Sequence, residues 1–542
     1  MVSEKKLDLA IGLTVAMVAF FVYANSFGNG FVWDDDLVIL ANPALNGSLS
    51  DIFSSIDTGR VTEPTPYYRP LTLLTYLFEQ RLHGFTPFLV RIVNVLLHVT
   101  NTFLVYRLST SLKISRSAAV ISGLLFAVHP LQSEAVDFNS SRNTMLAAFF
   151  ILTTYLSHQR SVRDNSVAWA YAGASLLFAG LLSKEIALFV LLMVGFIEFR
   201  HYRDDASCTW RAAIFRLTPY AIIFALYMVL RNHALAGAGV HLDILTGLGA
   251  RLLDNIYIIP RYLLTVVWPV SGSAKYFLPD DLNLLALPLA AAWSLIIGMC
   301  LWLLTKGRTP ATIFGFAWLI AFWLPVSGIF PIPSAPLADR YLYVPAIGLW
   351  LIASDQFVSL FQSTRLPQRY GTVAMVVVVM LLSIVTYRRN TVWNNDISLF
   401  TRLAEQHPER AFAYHNLGCA YLDKVKNFDL AERSFEKALA LQPTFPRLQT
   451  QMGYVRLLRG DYKGALQHYM GALQINPFDA EAHLNSGSAL ENLKRYDEAL
   501  FEYQRFLDTP GYELPEARRT THLKIAELTR KLKAVDNGGK AR

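Results

Sequence analysis

The chain has little charge and almost no cysteine. Only 17% of its 542 residues are Asp, Glu, Lys or Arg, against 53% apolar, and that charge is unevenly spread. The three cysteines, Cys208, Cys300 and Cys419, stand far apart without CxxC spacing, which argues against a disulfide framework and against a zinc site. Duplicated halves and paired, broken apolar segments are also missing, and a transporter built on internal repeats would need them. A net charge of +8 would direct a soluble chain toward nucleic acid. Here the bases crowd short connections between apolar runs, so no nucleic-acid partner is expected.

What the chain has in abundance is apolar sequence. Residues 7–387 carry runs near the ~20 residues that a bilayer core of roughly 30 Å demands, whereas residues 390–542 are charged and Ala/Leu-rich. The expected division is a polytopic membrane domain over 1–389 and a soluble domain over 390–542. Spans are expected near 7–24, 87–106, 117–131, 144–157, 167–182, 186–199, 213–230, 284–304, 310–327, 342–360 and 371–387, about eleven in all. Lys5 and Lys6 before the first run also fit a signal peptide. An uncleaved span is the expectation, because cleavage would release the segment that keeps FVWDDD (31–36) at the membrane surface.

Charge then sets the expected topology. Lys113/Arg116, Arg160/Arg163, Arg200/Arg203/Arg211, Lys306/Arg308 and Arg365/Arg369 join Lys5/Lys6 on the cytoplasmic side by the positive-inside rule. Loop 25–86, with seven acids against three bases, falls outside. Residues 251–269 are apolar enough for a twelfth span, but a span there would invert the rule for everything downstream, so an interfacial or re-entrant segment is expected. The N-terminus is then cytoplasmic and the soluble domain extracytoplasmic. The compact loops suit a bacterial inner membrane, with the soluble part in the periplasm.

The soluble part repeats. Gly418, Gly453 and Gly487 lie 35 and 34 residues apart, while Ala465/Ala499, Tyr469/Tyr503 and Pro443/Pro477 are each 34 apart. That period and those residue types mark tetratricopeptide repeats, in which small residues let paired helices approach and proline closes the second helix. An incomplete unit (396–408) precedes the array and a capping helix (515–534) follows. Such solenoids bind peptides on a concave face, and Asn416 and Asn485 are candidate contacts to an acceptor polypeptide; the alternative is that they only cap or solvate their helices.

Ionisable and amide groups at membrane depth need a reason. Arg91, Asn94, His98 and Asn101 are spaced 3, 4 and 3, so one helical face carries them, and interhelical hydrogen bonds are the simpler role. A denser set stands at the expected outer ends of spans: His129, Glu134 and Arg142 in HPLQSEAVDFNSSRN, Lys184 and Glu185 in LLSKEIAL, Asp339, Arg340, Tyr341 and Tyr343 in ADRYLYVP, and Arg69 in YYRP beside Asp34–Asp36. Acids and bases from four connections on one side of the membrane suggest a site. Outside the cytoplasm an activated sugar must arrive on a lipid carrier such as a polyprenyl phosphate. Its transfer needs a carboxylate to take the acceptor's proton and cations to stabilise the departing phosphate.

These stretches resemble the transmembrane and tetratricopeptide-repeat-containing protein O-mannosyltransferases. FVWDDDLVILANP, YYRPLTLLTYLF, RIVNVLLHVTN, LLFAVHPLQSEAVDFNSSRNTMLA, LLSKE and DRYLYVPAIG occur in that family's order, followed by the repeats. The resemblance implies an all-α, GT-C-type glycosyltransferase bundle ahead of the α-solenoid, and an inverting protein O-glycosyltransferase activity toward Ser/Thr of exported proteins. It implies that Asp34 or Asp35 is the acceptor-activating base, with Asp36 a solvated loop acid. Arg142, Lys184 and Arg340, with Tyr341 and Tyr343, would bind donor phosphate and sugar, supported by His129, Glu134, Glu185, Arg69 and His98. Ser141 stands where the family has glycine before the arginine. Two alternatives stay open: a scaffold that recruits exported proteins, and a GT-C enzyme acting on lipid or polysaccharide. No cofactor is fixed by these residues. Acids beside a phosphate can hold a divalent ion, and no ligand spacing here decides for or against one.

Overall fold

A computed structural model describes the chain except residues 1, 55–66, 205–208, 238–246, 280–284, 306, 331–334, 365–366, 446, 510–514 and 540–542. Cys208, Lys306 and Arg365 therefore lie outside the described residues. Everything regular among the described residues is helical. The chain divides into two units, one running to Asn395 and one from Asp396 onward.

The first unit contains α1 (Val2–Tyr23), α2 (Leu49–Ser54), α3 (Pro70–His83), α4 (Pro87–Ser111), α5 (Arg116–Val128), α6 (Ser133–Asp137), α7 (Arg142–Arg163), α8 (Val167–Leu181), α9 (Val190–Asp204), α10 (Trp210–Gly237), α11 (Leu248–Val267), α12 (Ala286–Thr305), α13 (Pro310–Trp323), α14 (Ala346–Ser363) and α15 (Gln368–Asn390). Each of the eleven expected spans overlaps one of these helices, and α11 covers the anomalous segment. Among the described residues, five helices are long and apolar enough to cross a membrane: α1, α4, α10, α12 and α15. The bent pair α5–α6 makes a sixth if it counts as one span, and α8 and α13 are shorter apolar helices. Of the remaining expected spans, α9 is short at 15 residues and α7 carries a polar face. α7 buries Arg142, Asn143, Thr144, Thr154, Ser157 and His158 against its neighbours. The protein is a multi-pass membrane protein.

Local sequence explains the boundaries. Proline occupies the first turn of α3, α4 and α13, where its missing N–H is no loss. The Ser115 hydroxyl accepts from Ala118 N at 3.2 Å and caps α5, and Thr309 caps α13. Close packing uses small residues: a Cβ on Gly315 of α13 would lie 2.7 Å from the Gly348 carbonyl of α14, so the two backbones touch, as membrane helices do at small-residue crossings. The C-termini of α1 and α15 are tied together, with Asn390 donating to Val22 O at 3.0 Å and Asn25 Oδ1 at 2.8 Å.

The second unit is the repeat array: α16 (Asp396–Gln406), the pairs α17 (Ala411–Asp423)/α18 (Phe428–Leu441), α19 (Leu448–Leu458)/α20 (Tyr462–Ile475) and α21 (Ala480–Asn492)/α22 (Tyr496–Asp508), and the terminal α23 (Pro515–Gly539). The repeating glycine has a steric cause. A Cβ on Gly418, Gly453 or Gly487 would meet the ring of Phe435, Tyr469 or Tyr503 at 2.5, 2.6 or 2.5 Å. All three rings are fully buried. Asn427 and Asp461, 34 residues apart, cap the second helix of their pairs. Gly453→Ala should therefore destabilise the repeats by about 1–3 kcal/mol, and Tyr469→Leu in the same chain should recover part of the loss. Thermal unfolding of the full-length protein checks this; an unchanged transition for Gly453→Ala would refute the ring-on-glycine account.

Candidate active site

The functional candidates gather at the end of the first unit where α1, α5, α8 and α15 finish and α4, α7 and α14 begin. The turn after α1 is strained. Trp33 has φ +54°, a left-handed conformation uncommon outside glycine and asparagine. Its indole stacks on Phe138, centroids 5.9 Å apart, and Phe138 stacks on Trp393 at 5.4 Å.

The neighbouring aspartates differ sharply. Asp35 is fully buried. Its Oδ1 accepts from the Ser140 N–H at 2.8 Å and the Ser140 hydroxyl at 2.6 Å, and its Oδ2 from Asn139 Nδ2 at 3.0 Å and Val32 N at 3.2 Å. Asp34 is half-buried and lies within Coulomb reach of the Arg340 guanidinium. Asp36 opens the next helical turn, Asp36–Leu40.

Glu134 anchors Arg340. It accepts from the Arg340 main-chain N–H at 3.0 Å and forms an ion pair with its guanidinium, which keeps 18% of its side-chain surface. Glu134 does not hold His129; the His129 ring hydrogen-bonds Val266 O at 2.9 Å, accepts from Leu131 N at 3.2 Å, and packs on Trp350. His129 thus joins the end of α11 to the turn after α5.

Lys184 and Glu185 do not pair with one another in the bonds seen here. Glu185 takes Arg69 at 3.1 Å, and Lys184 Nζ donates to Thr144 Oγ1 at 2.7 Å. Burial, then the nearby Arg69 and Arg340 charges, hold the Lys184 ammonium well below its usual range. Three cations from three separate connections therefore share one neighbourhood. Tyr341 lies among them, its ring 5.2 Å from the Arg340 guanidinium and 5.8 Å from Lys184 Nζ, and Arg69 sits 4.1 Å above the Tyr67 ring.

Arg142 and Tyr343 are enclosed by internal partners. Arg142 is fully buried and spends its donors on Glu79 (2.6 Å), Thr75 (3.2 Å), Asn94 (2.8 Å) and Val90 O (2.9 Å). No N–H faces outward to take a phosphate. The Tyr343 hydroxyl is buried between His98 Nδ1 (2.9 Å) and Asn101 Nδ2 (3.2 Å), so the α4 stripe makes interhelical hydrogen bonds. Asn416 donates to Phe412 O of its own helix at 2.8 Å, while Asn485 is half-buried on α21. Among the described residues no three His, Cys, Asp or Glu side chains gather as a metal site.

Comparison with known proteins agrees with the motif order. The sequence model of the family described as dolichyl-phosphate-mannose-protein mannosyltransferase matches residues 69–240, and tetratricopeptide models match 413–445, 453–494 and 480–509. Protein O-mannosyl-transferase F38B6.6 of Caenorhabditis elegans is 27% identical over 80% of this chain and 63% of its own. Human protein O-mannosyl-transferase TMTC3 is 25% identical over 92% and 59%. The chain is a relative of these protein O-mannosyl-transferases. It spans about three fifths of the length of these curated relatives. Among solved structures, ArnT from Cupriavidus metallidurans bound to undecaprenyl phosphate aligns over 91% of this chain and 79% of its own, with 15% identity and a TM-score of 0.37.

In this O-mannosyl-transferase relative, several site groups carry no motif of their own. Asp137 pairs with the buried Arg91 at 3.8 Å, Glu79 with Arg142, and Arg389 with Asp339. Asn139 and Ser140 hold Asp35. For Glu79, Asp137, Asn139 and Ser140 the signal available was their position inside or beside the quoted stretches, and Arg389 had none; which acid faces which base is set only by packing.

Burial raises the Asp35 carboxyl from 3.8 to about 6, against its hydrogen bonds from Ser140 and Val32 and the charge of Arg91. A folded-state acid held above its unfolded value binds its proton more tightly when folded. Its contribution is present at low pH and is lost as pH rises through about 6. Asp35→Asn should flatten the decline in stability between about pH 4 and 6. It should also cost about 2–3 kcal/mol at pH 7, because a carboxamide cannot accept from all four donors. Unfolding of both proteins in detergent across pH checks this; parallel curves would refute it.

Proposed function

We propose that the chain is a glycosyltransferase of the multi-pass membrane class that moves a sugar from a polyprenyl-phosphate carrier to Ser/Thr hydroxyls of exported proteins. The observation that carries this reading is the convergence of Arg69, Lys184 and Arg340 beside the half-buried Asp34. A glycosyl transfer of this kind separates charge. The acceptor oxygen must lose a proton as it attacks the anomeric carbon, and the carrier phosphate must leave with the bonding pair. Asp34 suits the first task because it retains exposure, and one displacement on the face opposite the phosphate inverts the anomeric centre. The cations suit the second, since a donor phosphate would draw on all three charges. Asp35 supports the turn rather than the chemistry, and Arg142 and Tyr343 position the loops and helices behind it.

The family names of the relatives favour mannose as the sugar and a dolichyl- or polyprenyl-type lipid as its carrier. The basic connections favour a cytoplasmic N-terminus and a site on the opposite, extracytoplasmic side. The repeats would present the acceptor polypeptide.

Purified protein given polyprenyl-phosphate mannose and a mixture of exported proteins should label protein. Asp34→Asn should lower kcat by about 10²–10⁴-fold with an unchanged unfolding transition, whereas Asp35→Asn should lose activity together with stability. Label unaffected by Asp34→Asn would remove it as the base. Label entering only lipid would reassign the acceptor.

A further inference from the structure

No motif marks the last residues of α15, yet they reach the candidate site. Arg389 donates through Nη2 to Asp339 Oδ2 in a close ion pair. Its Nη1 packs over Gly272, in space that any Cβ on that residue would occupy. Asp339 is fully buried, and its Oδ1 accepts from the Tyr276 hydroxyl at 2.7 Å. One residue on, Arg340 pairs with Glu134. The two ion pairs stand side by side: Glu134 lies within Coulomb reach of Asp339 and Arg389 as well as Arg340, and Arg389 within reach of Glu134. Two acids and two guanidiniums in that space permit two pairings. Chain connectivity keeps Asp339 beside Arg340, so without Arg389 the buried Asp339 carboxylate would compete with Glu134 for Arg340.

We propose that Arg389 is a positioning residue for Arg340. By neutralising Asp339 it leaves Arg340 on Glu134 and directed at the region shared with Asp34 and Lys184. This rests on the reading of that region as the donor-phosphate site. Arg389 acts through Asp339, and Gly272 is part of the device because only a residue without a side chain leaves room for the guanidinium. A buried carboxylate deprived of its partner is strongly destabilising, while removal of both partners is far milder. That asymmetry separates competition for Arg340 from a general folding role.

The test is a double-mutant cycle on SDS-driven unfolding of the detergent-solubilised full-length chain. Glu134→Gln and Arg340→Gln are combined in the wild-type, Arg389→Gln and Arg389→Gln/Asp339→Asn backgrounds. The Glu134–Arg340 coupling should fall by about tenfold in the unfolding constant with Arg389→Gln and return when Asp339→Asn is added. Gly272→Ala should reproduce Arg389→Gln. In sugar transfer, Arg389→Gln should raise the donor KM about tenfold while kcat changes by less than about twofold, and Asp339→Asn should restore it. Coupling unchanged by Arg389→Gln, or a loss that Asp339→Asn does not restore, overturns the inference. A wild-type protein that transfers nothing from any lipid-linked donor overturns the functional reading instead, and the unfolding cycle still decides the role of Arg389.

Discussion

A guanidinium and a carboxylate buried together are the constraint on which the working end of this bundle depends. The segments there come from distant parts of the chain. Four pairs knit them: Arg142–Glu79, Arg91–Asp137, Arg340–Glu134 and Arg389–Asp339. Each carboxylate is almost or wholly buried. Desolvating such pairs makes them poor sources of net stability, but removing one partner costs about 3–5 kcal/mol. Their physical role is therefore to make one arrangement of the loops far better than its neighbours. A loop that shifts by one residue leaves a charge unpaired in an apolar setting.

The same rule sorts structural groups from candidates for chemistry. Arg142 and Arg340 both come from conspicuous motifs, but the first has exchanged every outward donor for internal partners and the second keeps surface. Arg69 and Lys184 likewise retain some contact with the outside of the fold. A group that must meet a phosphate arriving from a membrane needs residual solvent contact to lose. A fully satisfied, fully buried guanidinium has nothing left to offer except position.

Much of this was legible in the sequence. The apolar runs located helices because a bilayer imposes length, and the 34-residue period located the repeats because the glycine must sit under a ring at every turn of the array. Gly418, Gly453 and Gly487 with Phe435, Tyr469 and Tyr503 are that constraint written twice. The α4 stripe was legible as a face, since periodicity places side chains on one side of a helix. Its partners were not, because Tyr343 is some 240 residues away and only packing brings it to His98 and Asn101. Arg389 follows the last expected span and Asp137 stands inside HPLQSEAVDFNSSRN, and neither carries a sign of its partner in the sequence. Pairing between distant loops leaves no period to read. Spans such as α7 were harder still, since a helix covered by protein can carry polar residues that lipid would exclude.

Two adjacent aspartates are needed because anchoring and exposure make opposite demands on a carboxylate. Trp33 sits in a left-handed conformation that costs about 1–3 kcal/mol for a residue with a side chain, and such strain persists only where surrounding contacts over-determine it. Two sets of contacts do so. The indole lies on Phe138, itself stacked on Trp393, and Asp35 grips residues 139–140 through three hydrogen bonds and takes a fourth from Val32 N. Asp34 stands in the chain between these two fixed points. On the proposed reading one aspartate would not serve both ends, because a buried carboxylate that already accepts from four donors has no room for an incoming hydroxyl. With Asp35 committed to the turn, the proposed reading leaves the chemistry to Asp34, which the strained turn holds within Coulomb reach of Arg340.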